Sequence, residues 1–148
     1  MTLSTVAVET SPGVFHAKEW GASIPDNLFE LLIDQAKGNG NRKSRLCLHP
    51  SPSDPVQITY LAFFAPYADR IHSHPTRPEI IVPVFGKAQY SEFDGAGNVV
   101  SSEELDGQFP IALSTPLTTW HGIKLISESF IMIEIGSGPF TKSSTVYL

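Results

Sequence analysis

Two of the chain's five histidines stand two residues apart, in the stretch DRIHSHPTRPEII at 69–81. Successive side chains of a strand point to opposite faces, so His72 and His74 aim both imidazoles into one space. Neutral imidazole is the commonest protein ligand for a transition metal, binding zinc at about 2.0–2.1 Å. Pro75 and Pro78 then stop the strand, because neither can donate to a sheet ladder. Glu79 opens the next β-branched run, and a turn between the two carries its carboxylate back beside the histidines. His121, in PLTTWHGIKL, lies in a predicted strand 42 residues beyond Glu79 and supplies a fourth ligand. Three imidazoles and one carboxylate suit iron, manganese, nickel, copper or zinc, and leave coordination positions for water or substrate. The bland alternative is a pair of histidines at a strand end beside a solvated glutamate. The placement of Glu79, Gly86, Pro116 and His121 around the pair favours the metal.

The elements that must hold these residues are mostly strands. Twelve prolines and eleven glycines punctuate short apolar runs. One helix is expected over about 26–37, with Asp26 as N-cap, Phe29, Leu32, Ile33 and Ala36 at helical spacing, and Gly38 and Gly40 at its end. Strands are expected at 44–49, 56–65, 79–86, 109–113, 118–126 and 128–136, the last two joined by a tight turn near Ser127. AQYSEF and NVVSSEEL flank the turn DGAGN at 94–98, a hairpin signal. GVFHAKEW and SSTVYL read as edge strands. About eight short strands with one N-terminal helix indicate an all-β sandwich or closed barrel. Residues 1–41 read as an N-terminal extension and 42–148 as the barrel, in one domain.

Charge and composition exclude other classes. Apolar residues make up 41% and charged residues 17%, the profile of a folded globular protein. A net charge of −5 argues against nucleic acid as partner. No segment reaches the roughly 18–20 apolar residues of a membrane span. The amino terminus lacks the features of a secretory signal, and the single Cys47 has no internal partner, so a cytoplasmic setting is expected. G-x-G-x-x-G, P-loop, G-x-S-x-G and H-E-x-x-H motifs are absent.

HSHPTRPEIIVPVFG resembles the first cupin motif, H-x-H-x4-E-x6-G, through His72, His74, Glu79 and Gly86, and PLTTWH resembles the second through Pro116 and His121. More narrowly, RLCLHPSPSDPVQ at 45–57, the two motifs, TWH and GPF at 138–140 look like the WbuC-like cupin-fold metalloproteins associated with bacterial surface-polysaccharide synthesis. The resemblance implies a cupin-type jelly-roll β-barrel, one divalent transition metal held by those four ligands, and a homodimer. Pro66, Thr118 and Leu125 depart from the family pattern, at turns and barrel wall rather than at ligands.

Alternation in SRLCLHP puts Arg45, Cys47 and His49 on one face and Leu46 and Leu48 on the other. If the leucines pack against the helix or a partner subunit, the polar trio could line the barrel mouth, where Arg45 could grip a carboxylate or phosphate. Arg77 could reach over the metal or stand in solvent, and Tyr60 could line the barrel or merely pack. These four, Arg45, His49, Tyr60 and Arg77, are the candidate substrate-binding residues. His16 reads as a surface residue, and nothing marks Cys47 as an activated nucleophile. The function expected is a metal-dependent isomerase, epimerase or oxygenase acting on a small polar molecule such as a sugar derivative. The alternative is a non-catalytic cupin that binds or senses a small ligand in the same pocket.

Overall fold

Alternating burial along the strands organises the molecule into two apolar clusters either side of a curved sheet. The computed structural model describes residues 2–148. A short helix α1 (Leu3–Val6) leads into β1 (Ala7–Ser11) and β2 (Val14–Ala17), followed by helix α2 (Leu28–Gly38). Then come β3 (Lys43–Cys47), β4 (Val56–Phe64), β5 (His72–Ser73), β6 (Glu79–Phe93), β7 (Val99–Asp106), β8 (Leu113–Thr115), β9 (Trp120–Ser137) and β10 (Val146–Tyr147). The ten strands share one sheet, ordered β1-β2-β3-β4-β9-β5-β10, with β6 also pairing β7, β8 and β9. This is the jelly-roll barrel with one principal helix that the sequence suggests.

Helix α2 begins at Leu28 behind Asn27 rather than behind Asp26, and Asn27 makes no side-chain cap. Its buried face, Leu28, Leu32 and Ala36, packs on Leu46, Ala62 and Ile131 from the outer face of the sheet. Each fully buried aliphatic side chain there contributes about 1.5–3 kcal/mol. Ser44 Oγ donates to the carbonyl of Leu32 at 2.7 Å, tying helix to sheet. On the inner face Leu61, Phe63, Ile81, Phe130 and Met132 form the second cluster. The same pleat that sends Leu46 outward sends Lys43, Arg45 and Cys47 inward.

Two strands are longer than expected. The runs at 79–86 and 88–93 are one strand, β6, and the runs at 118–126 and 128–136 are one strand, β9. The tight turn expected near Ser127 is instead a bulge. Gly86 faces Phe130 while Ala88 faces Leu125, so β9 carries extra residues between them. Ser127 Oγ accepts from Lys87 N at 2.8 Å and stabilises the excursion. Gly86 lies at φ +70°, and a Cβ there would collide with the Ser129 carbonyl, which explains the glycine. The strand expected at 109–113 starts later, at Leu113.

The N-terminal run and the tail pair as strands. β2 is no edge, since β1 covers one side of it and β3 pairs in parallel on the other. β10 pairs with β5, setting Tyr147 opposite His72. In the 94–98 turn Asp94 Oδ1 accepts from the Ala96 and Asn98 amides at 2.9 Å, closing the expected hairpin.

Thr118 sits at φ 63°, at the position where the resembling motif has glycine. A β-branched residue in the left-handed region is strained by about 1–2 kcal/mol. Thr118→Gly is therefore expected to raise the urea midpoint by a gain of about 1 kcal/mol, after glycine's own chain entropy is set against the relief. A lower midpoint would contradict the strain.

Candidate metal centre

His72 lies directly opposite His121 in the β5–β9 pair, and His74 follows just past the end of β5. Each ring is held from behind by a main-chain carbonyl. His72 Nδ1 is 2.8 Å from Arg70 O, His74 Nδ1 3.0 Å from Ser144 O, and His121 Nδ1 2.9 Å from Thr119 O. A carbonyl only accepts, so Nδ1 of each ring carries hydrogen and Nε2 of the neutral ring offers its lone pair inward. The three rings present donor atoms within 4.8 Å of one another. Glu79 Oε2 is 3.1 Å from His74 Nε2 and 3.9 Å from His121 Nε2. The three histidines thus converge, and Glu79 stands beside His74 and His121.

His74, Glu79 and His121 are all buried. Despite its closeness to Glu79, His74 Nε2 makes no aligned hydrogen bond with any partner. Beside Glu79 but poorly aligned with it, that nitrogen is available to an ion held together with the carboxylate. A void of about 30 Å³ borders His72, Glu79 and His121 but not His74, room for a single ion or water. The donor set, the orphaned nitrogen and the void fit a divalent transition metal.

Charge in the site is balanced by proximity. Burial works against the ionised forms of both His74 and Glu79, but their mutual attraction outweighs it, raising His74 and lowering Glu79. Glu79 is accordingly an anion. Burial pushes His121 below the usual imidazole range, which keeps its ring neutral and ready to ligate.

His72, His74 and Glu79 open into a cavity of about 250 Å³ lined also by Lys43, Arg45 and Glu134, among others. Lys43 and Glu134 escaped the sequence reading. Their signals were there: Lys43 continues the Arg45–Cys47–His49 alternation by one step, and Glu134 is a lone carboxylate in the apolar run FIMIEIG. Glu134 sits on β9 opposite Thr59 of β4 and Ile81 of β6. Burial, then the charge of Glu79, raises its carboxyl to about 7. Burial lowers the Lys43 ammonium.

A second cavity of about 330 Å³ adjoins the first, lined in part by His16, Arg45, Cys47, His49, Arg77 and Glu134. Leu46 and Leu48 pack toward the helix, leaving Arg45, Cys47 and His49 facing inward as alternation requires. Arg77 is only 6% exposed, not a solvated loop residue, and its Nη2 approaches Glu134 Oε1 at 4.0 Å. His16 is half-buried, its ring edge-on to that of His49 at 5.4 Å, because β2 pairs with β3 rather than facing solvent. Tyr60 lines neither cavity. Its register partner Leu46 faces the helix, and so does Tyr60, which packs against Phe29 with ring centroids 6.3 Å apart.

Fold and site together define a cupin-fold protein carrying a histidine-rich group able to hold a metal. The fold resembles the capsular polysaccharide assembling protein CapF from Staphylococcus aureus at a TM-score of 0.63 and 17% identity, over 74% of this chain and 32% of CapF. Oxalate decarboxylase from Bacillus subtilis gives 0.57 and 16%, over 72% and 27%. KdgF from Halomonas sp. gives 0.53 and 18%, over 68% and 81%. The chain thus spans about a third of CapF's length, and at these identities the likeness is one of fold. No curated protein matches the chain. The chain belongs to the family described as Domain of unknown function (DUF6016), whose model matches residues 24–105 and so includes His72, His74 and Glu79.

The raised Glu134 predicts a pH signature in metal-free protein. At acidic pH both folded and unfolded chains hold the proton, and Glu134 leaves stability unchanged. From the usual 4.5 up to about 7 the unfolded chain releases it while the folded chain keeps it, so stability falls as pH rises. Glu134→Gln should thus gain on wild type between pH 5 and pH 8, by on the order of 1–3 kcal/mol. Urea midpoints at the two pH values check it; an equal difference at both would contradict the raised carboxyl.

Proposed function

We propose that His72, His74, Glu79 and His121 hold one divalent transition metal, and that the protein is a metal-dependent enzyme of the isomerase or epimerase type acting on a small anionic sugar derivative. The observation that carries the reading is the convergence of three imidazoles, each anchored through Nδ1 to a carbonyl, with donor atoms within 4.8 Å of one another and the Glu79 carboxylate beside two of them. Such an ion, when bound, supplies Lewis-acid polarisation of a substrate carbonyl or hydroxyl oxygen.

The chain's own groups supply the rest. A carboxyl titrating near neutral pH can both accept and return a proton, which suits Glu134 to removing a hydrogen beside a carbonyl and delivering it again. This acid–base group favours turnover over passive binding. Arg45, with Lys43 beside it, offers a charge-assisted grip on a carboxylate or phosphate. Arg77 lines the neighbouring cavity and approaches Glu134, so it orients the carboxylate. A cavity of about 250 Å³ lies below the roughly 300–1,000 Å³ of drug-sized ligand sites, which favours a small substrate. The fold likeness to a capsular polysaccharide assembling protein and the WbuC-like segments support a role in surface-polysaccharide metabolism. A cytoplasmic homodimer completes the reading, on family likeness and the lone, unpaired Cys47.

Three measurements test this. Elemental analysis should find one equivalent less of transition metal in a His72→Ala/His121→Ala variant than in wild type. Chelation should lower the wild-type melting temperature, because an ion bound only by the folded state adds to stability. Equal metal in both proteins would dispose of the centre. Separately, incubation with anionic keto-sugars in D2O should give carbon-bound deuterium, with Glu134→Gln slowing exchange about 10²-fold or more at unchanged metal content. Exchange unaffected by that substitution would remove Glu134 from the chemistry.

A further inference from the structure

The second cavity contains a donor cluster that the histidine triad does not use. We propose that His16, Cys47 and His49 form a second metal site, of the zinc or copper class, with its remaining coordination position open to the cavity. The inference stands apart from the function proposed above, since the two clusters share no ligand.

Strand pairing brings the three together. β2 and β3 run parallel with His16 opposite Cys47, so both side chains leave the same face of adjacent strands. His49 follows two residues on, just past the end of β3, and lines the same cavity. Each residue presents one donor atom within 4.8 Å of the other two. The outward neighbours, Phe15 and Leu46, are locked in the helix-side core, which fixes the inward direction of the donors.

The hydrogen bonds leave the right atoms free. His16 Nδ1 is 3.2 Å from His49 O, and His49 Nδ1 is 3.1 Å from Ile58 N and 3.2 Å from Ile58 O. Main chain thus meets the Nδ1 of each ring, and the ligating form of His49 is the tautomer that donates from Nδ1 to Ile58 O rather than accepting from Ile58 N; among the described residues neither Nε2 has a hydrogen-bond partner. His49 is only 3% exposed. Cys47 Sγ receives one weak bond, from Thr59 Oγ1 at 3.8 Å, the kind of outer contact that steadies a thiolate ligand. A thiolate with two imidazoles selects zinc or copper over magnesium or calcium, which take oxygen donors. Three protein ligands rather than four is the pattern of a site with an exchangeable position. That position faces a cavity bordered by Arg45 and Arg77, so an added ligand there is an anion or water.

Cobalt(II) titration tests the site directly. Cys47 is the only cysteine, so any thiolate-to-cobalt charge-transfer band in the near ultraviolet belongs to it. The His72→Ala/His121→Ala variant, its fold checked by circular dichroism, should bind one equivalent of cobalt with that band. Adding Cys47→Ser should abolish both. His16→Gln, at a half-buried ring, should weaken binding at least about 10-fold. If the double variant does not fold, wild type serves: two equivalents with the band, and one without it in Cys47→Ser. A folded double variant that binds no cobalt, a wild type that takes a single equivalent lacking the band, or unchanged binding by Cys47→Ser would each overturn the second site.

Discussion

The bend in the β6–β9 ribbon is the constraint on which the rest depends. Glu79 pairs with Gly136 at one end of the ribbon, while His121 pairs with Glu92 at the other. The 15 residues from His121 to Gly136 would separate those ends by about 50 Å in a flat ladder. Yet Glu79 and His121 approach to 3.9 Å. The ribbon must therefore curl back on itself, and it does so where the register slips at Pro83–Phe85 and Gly86–Ala88. β-Bulges increase local twist and bend a strand. Gly86 permits the closest approach, because its missing Cβ leaves room for the Ser129 carbonyl. β5 then drops His72 onto the inner end of β9, and the centre is assembled.

Closure also confines charge. Glu79, Glu134, Lys43, Arg45 and Arg77 all border the joined cavities, and buried ion pairs seldom repay their own desolvation. The rise of Glu134 expresses that imbalance: a second carboxylate near Glu79 holds its proton more tightly. A dication between the histidines would further favour the Glu79 anion. Stability comes instead from the two apolar clusters flanking the polar space, one under helix α2 and one around Phe63 and Phe130. The surrounding hydrocarbon encloses this polar interior.

Local alternation made much of this legible in the sequence. It oriented His72 with His74, and set Arg45, Cys47 and His49 on the face opposite Leu46 and Leu48. The turn at 94–98 and the pairing of the tail likewise follow from short-range pattern. What stayed hidden depends on contacts distant in sequence. Gly86 and Ser127 read as strand ends because their local signal is that of turns, whereas the bulge exists only through pairing between β6 and β9. His16 read as a surface residue because its burial comes from a parallel pairing with β3 across an intervening helix. Tyr60 could not be placed until the register with Leu46 was known. Glu134 was overlooked because a single acid in a strand is ordinary until the opposite wall is known to carry Glu79 and Lys43.

The central claim is that three imidazoles and one carboxylate share a single ion. Anomalous diffraction from crystals of metal-loaded Cys47→Ser protein tests it most directly. The account predicts one strong peak about 2.0–2.2 Å from Nε2 of His72, His74 and His121 and from a Glu79 oxygen. A map with no peak there, or with the metal bound elsewhere while His74 and Glu79 pair with each other, would contradict it.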